Sequence, residues 1–305
     1  MISFEGRSAA LEGALRNTIR AAGMLLSMVV VNGAVAQMGY NVTLFSGPQS
    51  PETVACGIDS AGDVVGWYTL GSIYLIAFKR ATDGTFTDVV PSIDSKQALA
   101  GGINDSGAIA GSVGTPVGET VGFVSESGSY KYFGDKKNPA FGNGINNSGT
   151  FVGAMVGFDD TERGYIQSAN RPPYILFLGD GAALFGINNA ETVVGTFEDG
   201  AGTHGFIWTE SGTQTLNVPG ATNTGAFGIN DNGVVVGGTN TGYLGVCGNL
   251  GSTSQGFLYS NGAFSMFNVT GALGTSISGI NNAGQLVGTI YNGPQKTMGF
   301  IATPQ

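Results

Sequence analysis

The side chains of this chain that could do chemistry are mostly asparagines and aspartates, and many of them recur within one repeated phrase. The phrase begins Gly-Ile-Asn or Gly-Ile-Asp, passes through a turn-like segment and ends on apolar residues and a closing glycine. Its six copies are GIDSAGDVVG from Gly57, GINDSGAIAG from Gly102, GINNSGTFVG from Gly144, GINNAETVVG from Gly186, GINDNGVVVG from Gly228 and GINNAGQLVG from Gly279. Oxygen-bearing side chains suit hard cations such as calcium.

The spacing within the phrase favours a turn over a metal site. A type I turn prefers Asn or Asp at its first position and Gly at its fourth. Five copies satisfy both preferences: Asp59/Gly62, Asn104/Gly107, Asn146/Gly149, Asn230/Gly233 and Asn281/Gly284. The fourth copy has Glu191 in place of the glycine. We therefore expect no cofactor, with calcium as the alternative.

Catalytic motifs are absent from the sequence. A zinc site with two or three histidines cannot be built, because His204 is the one histidine of the chain. No HExxH, GxSxG or GxxxxGK[ST] pattern occurs. His204 also occupies a slot in a repeated strand, so we interpret it as a structural or surface residue. We predict no catalytic residue.

Loops that differ between the copies are better candidates for function, because rigid scaffolds carry function on variable loops. Several of these loops hold carboxylates, with aromatic residues nearby, a combination that suits a cation or a sugar-like ligand. The candidate ligand-binding residues are Asp159, Asp160, Glu162, Glu198, Asp199, Trp67, Tyr68, Tyr243 and Tyr291. The alternative is a solvated acidic rim with ordinary aromatics at strand ends.

The elements that must position these residues are short strands. In the fifth copy we expect strands at Ala226–Ile229, Val234–Thr239, Gly256–Tyr259 and Ala263–Val269, the last alternating apolar and polar residues. The third strand of each copy carries a small residue followed by an aromatic, which indicates core packing between neighbouring sheets. Four antiparallel strands in about 42 residues are typical of a propeller blade.

Six copies predict an all-β, six-bladed β-propeller of four-stranded antiparallel blades. Tyr40–Phe45 resembles a fourth strand with no first three, and the chain ends at Gly299–Ile301 with a third strand that lacks a fourth. We therefore expect the N-terminal strand to complete the last blade, which removes an open edge. A stacked solenoid is the alternative, but it needs capping units at both ends.

The N-terminus has the three-part plan of a secretory signal. Three arginines precede an apolar run of about 11 residues, too short to span a bilayer, and Ala34-Val35-Ala36 follows. We expect residues 1–36 to be removed, leaving one propeller domain at 37–305. The product would be secreted or periplasmic, would have no membrane span and would carry a net charge of −10, which disfavours nucleic acid as a partner.

Two cysteines, Cys56 and Cys247, remain in the expected mature chain. An oxidising compartment would permit a disulfide between them. We nevertheless expect them to stay unbonded, because the copies assign Cys56 to blade one and Cys247 to a long loop of blade five. Blade six lies between these blades around the ring, and bridged α-carbons must lie within about 7 Å.

The phrase GINNSG followed by apolar residues and Gly, together with His204-Gly-Phe-Ile-Trp208, resembles the HAF-repeat family of extracellular bacterial repeat proteins. The resemblance covers about residues 40–301. It implies export and a propeller-like repeat architecture, and it transfers no activity. The histidine of the family name occurs in one copy of six, and Ile76, Val121, Arg163, Gln255 or Met298 replaces it elsewhere.

Together these features favour an exported, monomeric binding or interaction propeller that holds a carbohydrate or protein ligand on its variable loops. Two alternatives come from other classes. One is a metal-dependent hydrolase or lactonase that uses the central channel, and the other is a structural surface or matrix protein.

Overall fold

The computed structural model shows a ring of six antiparallel sheets. It describes residues 35–37, 39–71, 74–91, 97–115, 118–168, 171–240, 247, 251–294 and 296–305. Every regular element in these ranges is a β-strand, and residues 33–305 form one unit. None of these residues belongs to a helix long and apolar enough to cross a membrane.

The two inner strands of each blade come from the repeated phrase. The innermost strands are β3 (Thr53–Ile58), β7 (Ala98–Ile103), β11 (Ala140–Ile145), β15 (Gly181–Ile187), β19 (Thr224–Ile229) and β23 (Gly274–Ile280). Each pairs with a second strand: β4 (Val64–Leu70), β8 (Ile109–Gly114), β12 (Phe151–Val156), β16 (Val193–Asp199), β20 (Val235–Thr239) and β24 (Leu286–Tyr291). The predicted fold is confirmed, and the strands of the fifth copy match within two residues at each end.

The two outer strands complete each blade. The third strands are β5 (Tyr74–Arg80), β9 (Thr120–Glu126), β13 (Glu162–Gln167), β17 (Gly202–Thr209), β21 (Gln255–Ser260) and β25 (Thr297–Pro304). The fourth strands are β6 (Phe86–Asp88), β10 (Ser129–Phe133), β14 (Tyr174–Leu176), β18 (Gly212–Leu216), β22 (Ala263–Phe267) and, in blade six, β2 (Tyr40–Phe45).

Ring closure follows the predicted scheme. β2 pairs antiparallel with β25, from Tyr40 opposite Pro304 to Phe45 opposite Gly299, so the first and last strands share one sheet. A short strand, β1 (Val35–Gln37), adds to the outer edge of β2. The expected cleavage point after Ala36 falls inside β1 and leaves β2 whole. Removal of residues 1–36 therefore stays a prediction that is compatible with closure.

The third-strand aromatics form the cores between blades, as the pattern predicts. Five phenylalanines are fully buried and Tyr165 is nearly so. The six residues are Phe78, Phe123, Tyr165, Phe206, Phe257 and Phe300. The small residue before the aromatic leaves room for the next blade: a Cβ on Gly164 would lie 2.9 Å from Leu184, and one on Gly256 would lie 2.9 Å from Ile277.

The first glycine of the phrase lets the blades meet around the axis. A Cβ on any of these six glycines would lie 2.8–3.4 Å from the α-carbon of the equivalent glycine in the next blade. The contact runs from Gly57 through the ring to Gly279 and back to Gly57. In each innermost strand the residue before this glycine forms a β-bulge. Bulges bend a strand and re-aim a side chain, here at the ring axis.

The six turns of the phrase share one geometry. The fourth residue donates its N–H to the carbonyl of the first at 2.9–3.2 Å in every copy. The five glycines at this position have φ between 74° and 90°. Glu191 adopts the same left-handed conformation, with φ of 58°, although it has a Cβ. An L-residue other than glycine is strained there by about 1–2 kcal/mol.

We expect Glu191→Gly to stabilise the protein by about 1 kcal/mol, because glycine removes this strain. The surface ion pair of Glu191 with Arg171, at 3.5 Å, contributes little against this gain. Urea unfolding measures the change. Glu191→Ala is the matched control, since it removes the ion pair and keeps the strained Cβ. Equal midpoints for the two variants would contradict the strain argument.

The expectation for the cysteines is wrong. Cys56 and Cys247 form a disulfide, with α-carbons 5.3 Å apart and 191 residues between them in the sequence. Cys56 occupies the bulge of β3, so its side chain faces the axis, where all six blades converge. Cys247 lies at this axis as well, so the position of blade six in the ring does not separate the two cysteines.

Candidate functional site

The ring has two unlike faces and a channel between them. The lower face carries the turns that join first to second strands, and the upper face carries the loops from second to third strands and the connections between blades. The channel is lined by the bulge residues, the glycine ring and six isoleucines below it. The isoleucines are Ile58, Ile103, Ile145, Ile187, Ile229 and Ile280.

On the lower face the repeated asparagines join neighbouring blades. Each asparagine of the phrase donates from Nδ2 to the backbone carbonyl of the next copy, at 2.9–3.2 Å, as Asn104 does to Asn146. Each also accepts two backbone N–H bonds of its own turn at Oδ1, at 2.9–3.1 Å. These oxygens are therefore committed to holding the turns and the ring.

The ring of inter-blade hydrogen bonds from these asparagines is interrupted at blade one. Asp59 replaces asparagine there, and an ionised carboxylate cannot donate to the carbonyl of Asn104. Asp59 accepts from Asp63 N at 2.9 Å and is only 6% exposed. Burial raises its pKa above the ordinary value, because desolvation disfavours the charged form.

We expect Asp59→Asn to stabilise the protein by about 1 kcal/mol at pH 7, because a sixth inter-blade hydrogen bond closes the ring. The advantage should shrink as the pH falls through the raised pKa of Asp59, since a protonated carboxyl can itself donate. Urea midpoints at pH 7 and pH 4 measure both effects. The mirror variant Asn104→Asp should destabilise by opening a second gap. A variant no more stable than wild type at pH 7 would refute the missing-link argument.

A second polar ring surrounds the lower mouth of the channel. In five blades the second residue of the turn donates its backbone N–H to the side chain of the equivalent residue in the next blade, at 2.8–2.9 Å. The series begins with Ser60, which donates to Asp105, and ends with Asp231, which donates to Asn282. Asp105 and Asp231 lie in opposite blades, and each accepts at Oδ2 from an asparagine amide. These carboxylates therefore belong to the same scaffold.

The upper face of blades three and four brings together the predicted acidic residues. Asp159 forms an ion pair with Arg163, whose hydrogen bond lowers the pKa of the Asp159 carboxyl. The Arg163 guanidinium lies 5.2 Å from the ring centre of Phe177. Phe158 is 79% exposed and Phe177 is 68% exposed, so two aromatic rings stand in solvent close to a charged pair.

The other acids of this face surround the same connection. Asp160 lies in the turn of the loop with a φ of 58°, and Glu162 begins β13. Glu198 lies near the end of β16, beside the connection from blade three, since its carbonyl accepts from Asp180 N at 2.7 Å. Asp199 follows and binds His204. The five acids therefore lie on adjoining blades of one face.

His204 is held at both ring nitrogens. Nε2 lies 2.9 Å from Asp199 Oδ1, and Nδ1 lies 2.7 Å from Asn217 Oδ1. Two oxygen acceptors favour the doubly protonated ring. The hydrogen bond to Asn217 and, to a smaller extent, the one to Asp199 therefore raise the pKa of His204. Both ring nitrogens are therefore engaged with side chains of the same blade, and the structural role of His204 stays a prediction.

We expect the sole histidine to titrate above its ordinary pKa of about 6.5. Its folded pKa is raised, so its stabilising contribution is full below that value and is lost as the pH rises through the folded pKa. NMR titration of the imidazole protons measures this directly. Asp199→Asn should lower the pKa. A histidine that titrates at or below 6.5 in the folded protein would contradict the assignment.

The predicted aromatics do not join this group. Trp67 is half-buried and packs against the buried cluster of Val54, Cys56 and Cys247. Tyr68 is 5% exposed and donates its hydroxyl to Asp88 at 3.0 Å, so it serves the core of blade one. Tyr291 ends β24 in blade six. Tyr243 lies outside the described residues.

Sequence reasoning missed the residues that give the upper face its character. Phe177 and Arg163 lie outside the repeated phrase, in a short connection and at the start of β13. The structure marks the upper face through its exposed large apolar residues, since five of those described lie in upper-face loops or at their edges. These five are Tyr74, Val90, Phe158, Phe177 and Leu273.

Comparison with known proteins supports the fold. No protein-family model matches the chain, and no curated protein matches it either. Among solved structures, a streptogramin B lyase is similar with a TM-score of 0.51 and 12% identity, over 88% of this chain and 99% of that one. A candidate gluconolactonase is similar with a TM-score of 0.51 and 10% identity, over 89% and 94%. At these identities the likeness concerns the propeller alone.

Proposed function

We propose that this protein is an exported binding propeller, of the HAF-repeat type, that holds a glycan ligand on the upper face of blades three and four. The observation that carries the proposal is the pair of solvent-exposed rings, Phe158 and Phe177, beside the Arg163–Asp159 ion pair. Exposed aromatic surface rimmed by polar groups marks interaction sites. Phenyl rings pack against the apolar faces of sugar rings, and charged groups bond the hydroxyls.

The contrast between the faces supports this location. The polar turn side chains of the lower face form hydrogen bonds between neighbouring blades, in two rings that hold the propeller together. On the upper face, the loops differ in length and sequence from blade to blade. Rigid scaffolds with variable loops are a common arrangement for recognition.

Export is supported by the disulfide and by the predicted leader. A bond between Cys56 and Cys247 is expected to persist in an oxidising compartment. The apolar run before Ala36 has the features of a signal for export to such a compartment. We propose a secreted or periplasmic location on these two grounds.

The hydrolase alternative has less support. In the part of the chain that the structure describes, the channel above the lower mouth is lined by glycine, isoleucine, phenylalanine, serine, asparagine and cysteine. A metal-dependent lactonase needs carboxylate or imidazole groups at its reaction centre. The described residues also contain no group of three His, Cys, Asp or Glu side chains placed as metal ligands.

A glycan array probed with residues 37–305 tests the proposal. We expect one class of glycans to be retained, and Phe158→Ala/Phe177→Ala to weaken that binding at least tenfold. Tyr132→Ala is the matched control, because Tyr132 is a partly exposed aromatic on the outer strand of blade two. Glycan binding that survives the double variant, or an array with no signal above background, would overturn the proposal. Concentration-dependent self-association without glycan binding would favour the structural alternative.

A further inference from the structure

The charges around the two exposed rings, Phe158 and Phe177, indicate which class of glycan suits the upper face of blades three and four. Phe158 directly precedes Asp159, whose carboxylate pairs with Arg163. The Arg163 guanidinium in turn lies 5.2 Å from the ring centre of Phe177. Both rings are more than two-thirds exposed, at 79% and 68%, so they form one solvent-facing surface joined by the ion pair.

Three exposed carboxylates border this surface without a basic partner. Asp160 closes the turn that holds Phe158, since its N–H donates to the carbonyl of Gly157 at 3.1 Å. Asp180 lies on the connection that follows Phe177, and its N–H donates to the carbonyl of Glu198 at 2.7 Å. All three acids are exposed, and none of them forms an ion pair with another described residue.

The basic groups of this face are fewer, and two of them are already paired. The upper-face segments 134–139, 157–163, 177–181 and 198–204 hold seven carboxylates and four basic side chains. Arg163 and His204 each contact an aspartate, and Lys136 and Lys137 are the other two bases. The face therefore keeps a net negative charge even when His204 is protonated, which attracts cationic ligands and repels anionic ones.

We infer that the glycan bound here is built from amino sugars with free, protonated amines, an inference that rests on the proposed glycan function of this face. An ammonium group is attracted to the face of a phenyl ring and to unpaired carboxylates. The apolar face of the same sugar packs against the exposed rings. A neutral sugar would make only the second kind of contact, and a uronic acid would be repelled.

A hexamer of glucosamine is the probe, and a hexamer of N-acetylglucosamine is its control because acetylation removes the charge and keeps the chain. Isothermal titration calorimetry on residues 37–305 at pH 6 should show at least about tenfold tighter binding of the charged hexamer. Asp160→Asn/Asp180→Asn/Glu198→Gln should abolish this preference. Asparagine also tolerates the left-handed conformation that Asp160 adopts, with φ of 58°.

The matched variant Asp83→Asn/Glu126→Gln/Glu210→Gln makes the same change in net charge. It removes three exposed acids at the ends of the third strands of blades one, two and four, away from the upper face. This variant should keep the preference. An equal loss of preference in both triple variants would overturn the inference, because the charge of the whole protein would then explain the binding.

Two further results would overturn it. One is equal binding of the two hexamers, and the other is binding of hexalysine as tight as that of hexaglucosamine, since charge without a sugar would then suffice. If neutral or acidic glycans are retained on the array while hexaglucosamine is not, the amino-sugar inference fails and the glycan site stands. If no glycan of any class is retained, the proposed function fails as well.

Discussion

Replacing Gly237 by alanine should destabilise the folded protein by about 3 kcal/mol, through overpacking at a site that cannot relax. Gly237 is the glycine that ends the repeated phrase, and it lies on β20. A Cβ there would collide with the carbonyl oxygen of Gly225 on the neighbouring strand and would lie 2.7 Å from the ring of Phe257. The ring is fully buried and the carbonyl belongs to the sheet backbone, so neither can move aside cheaply.

Urea unfolding followed by circular dichroism measures this effect. Gly200→Ala is the matched control, since a Cβ on Gly200 meets nothing within 4 Å. We expect that control to stay within about 0.5 kcal/mol of wild type. Equal unfolding midpoints for the two variants would show that the glycine that ends the phrase is not required for packing.

Reducing the Cys56–Cys247 disulfide should lower the stability by about 3–5 kcal/mol. The bond closes a loop of 191 residues, and cross-links that close long loops restrict the unfolded chain most. It also ties the blade-five segment to the innermost strand of blade one. The expected readout is a lower urea midpoint in the presence of dithiothreitol.

The variant Cys56→Ser/Cys247→Ser provides the control for this prediction. It should unfold at the midpoint of the reduced wild-type protein and should not respond to reductant. Two titratable thiols in the untreated native protein would contradict the disulfide. A midpoint unchanged by reduction would contradict its role in stability.

The repeated phrase made most of the fold predictable, because each part of it has a local physical reason. Asn and Gly at fixed turn positions set the lower-face hairpins, and a small residue before an aromatic marked the third strand. Tyr40–Phe45 is predictable as the closing strand because it resembles the fourth strand of a copy. Local chemistry could not show that Asn104 Nδ2 reaches the next blade, since a repeat period does not state how close two blades approach.

The candidate site was predictable only in part. The acids of blades three and four stand out as departures from the repeat, and the structure places them on one face. The sequence suggests Trp67 and Tyr68 together, but successive strand residues point to opposite sides of a sheet, and Tyr68 points into the core. The repeats do not predict the disulfide, because Cys247 belongs to a stretch of sequence that departs from the repeated pattern.

The measurement that most directly tests the central claim is hydrogen–deuterium exchange of residues 37–305 with and without a glycan retained on the array. The claim is that the repeats build the ring and that departures from them on the upper face bind the ligand. We expect the glycan to slow exchange in peptides covering residues 157–163 and 176–181. Slowed exchange at the lower-face turns instead, at 59–63 or 146–150, would contradict the account.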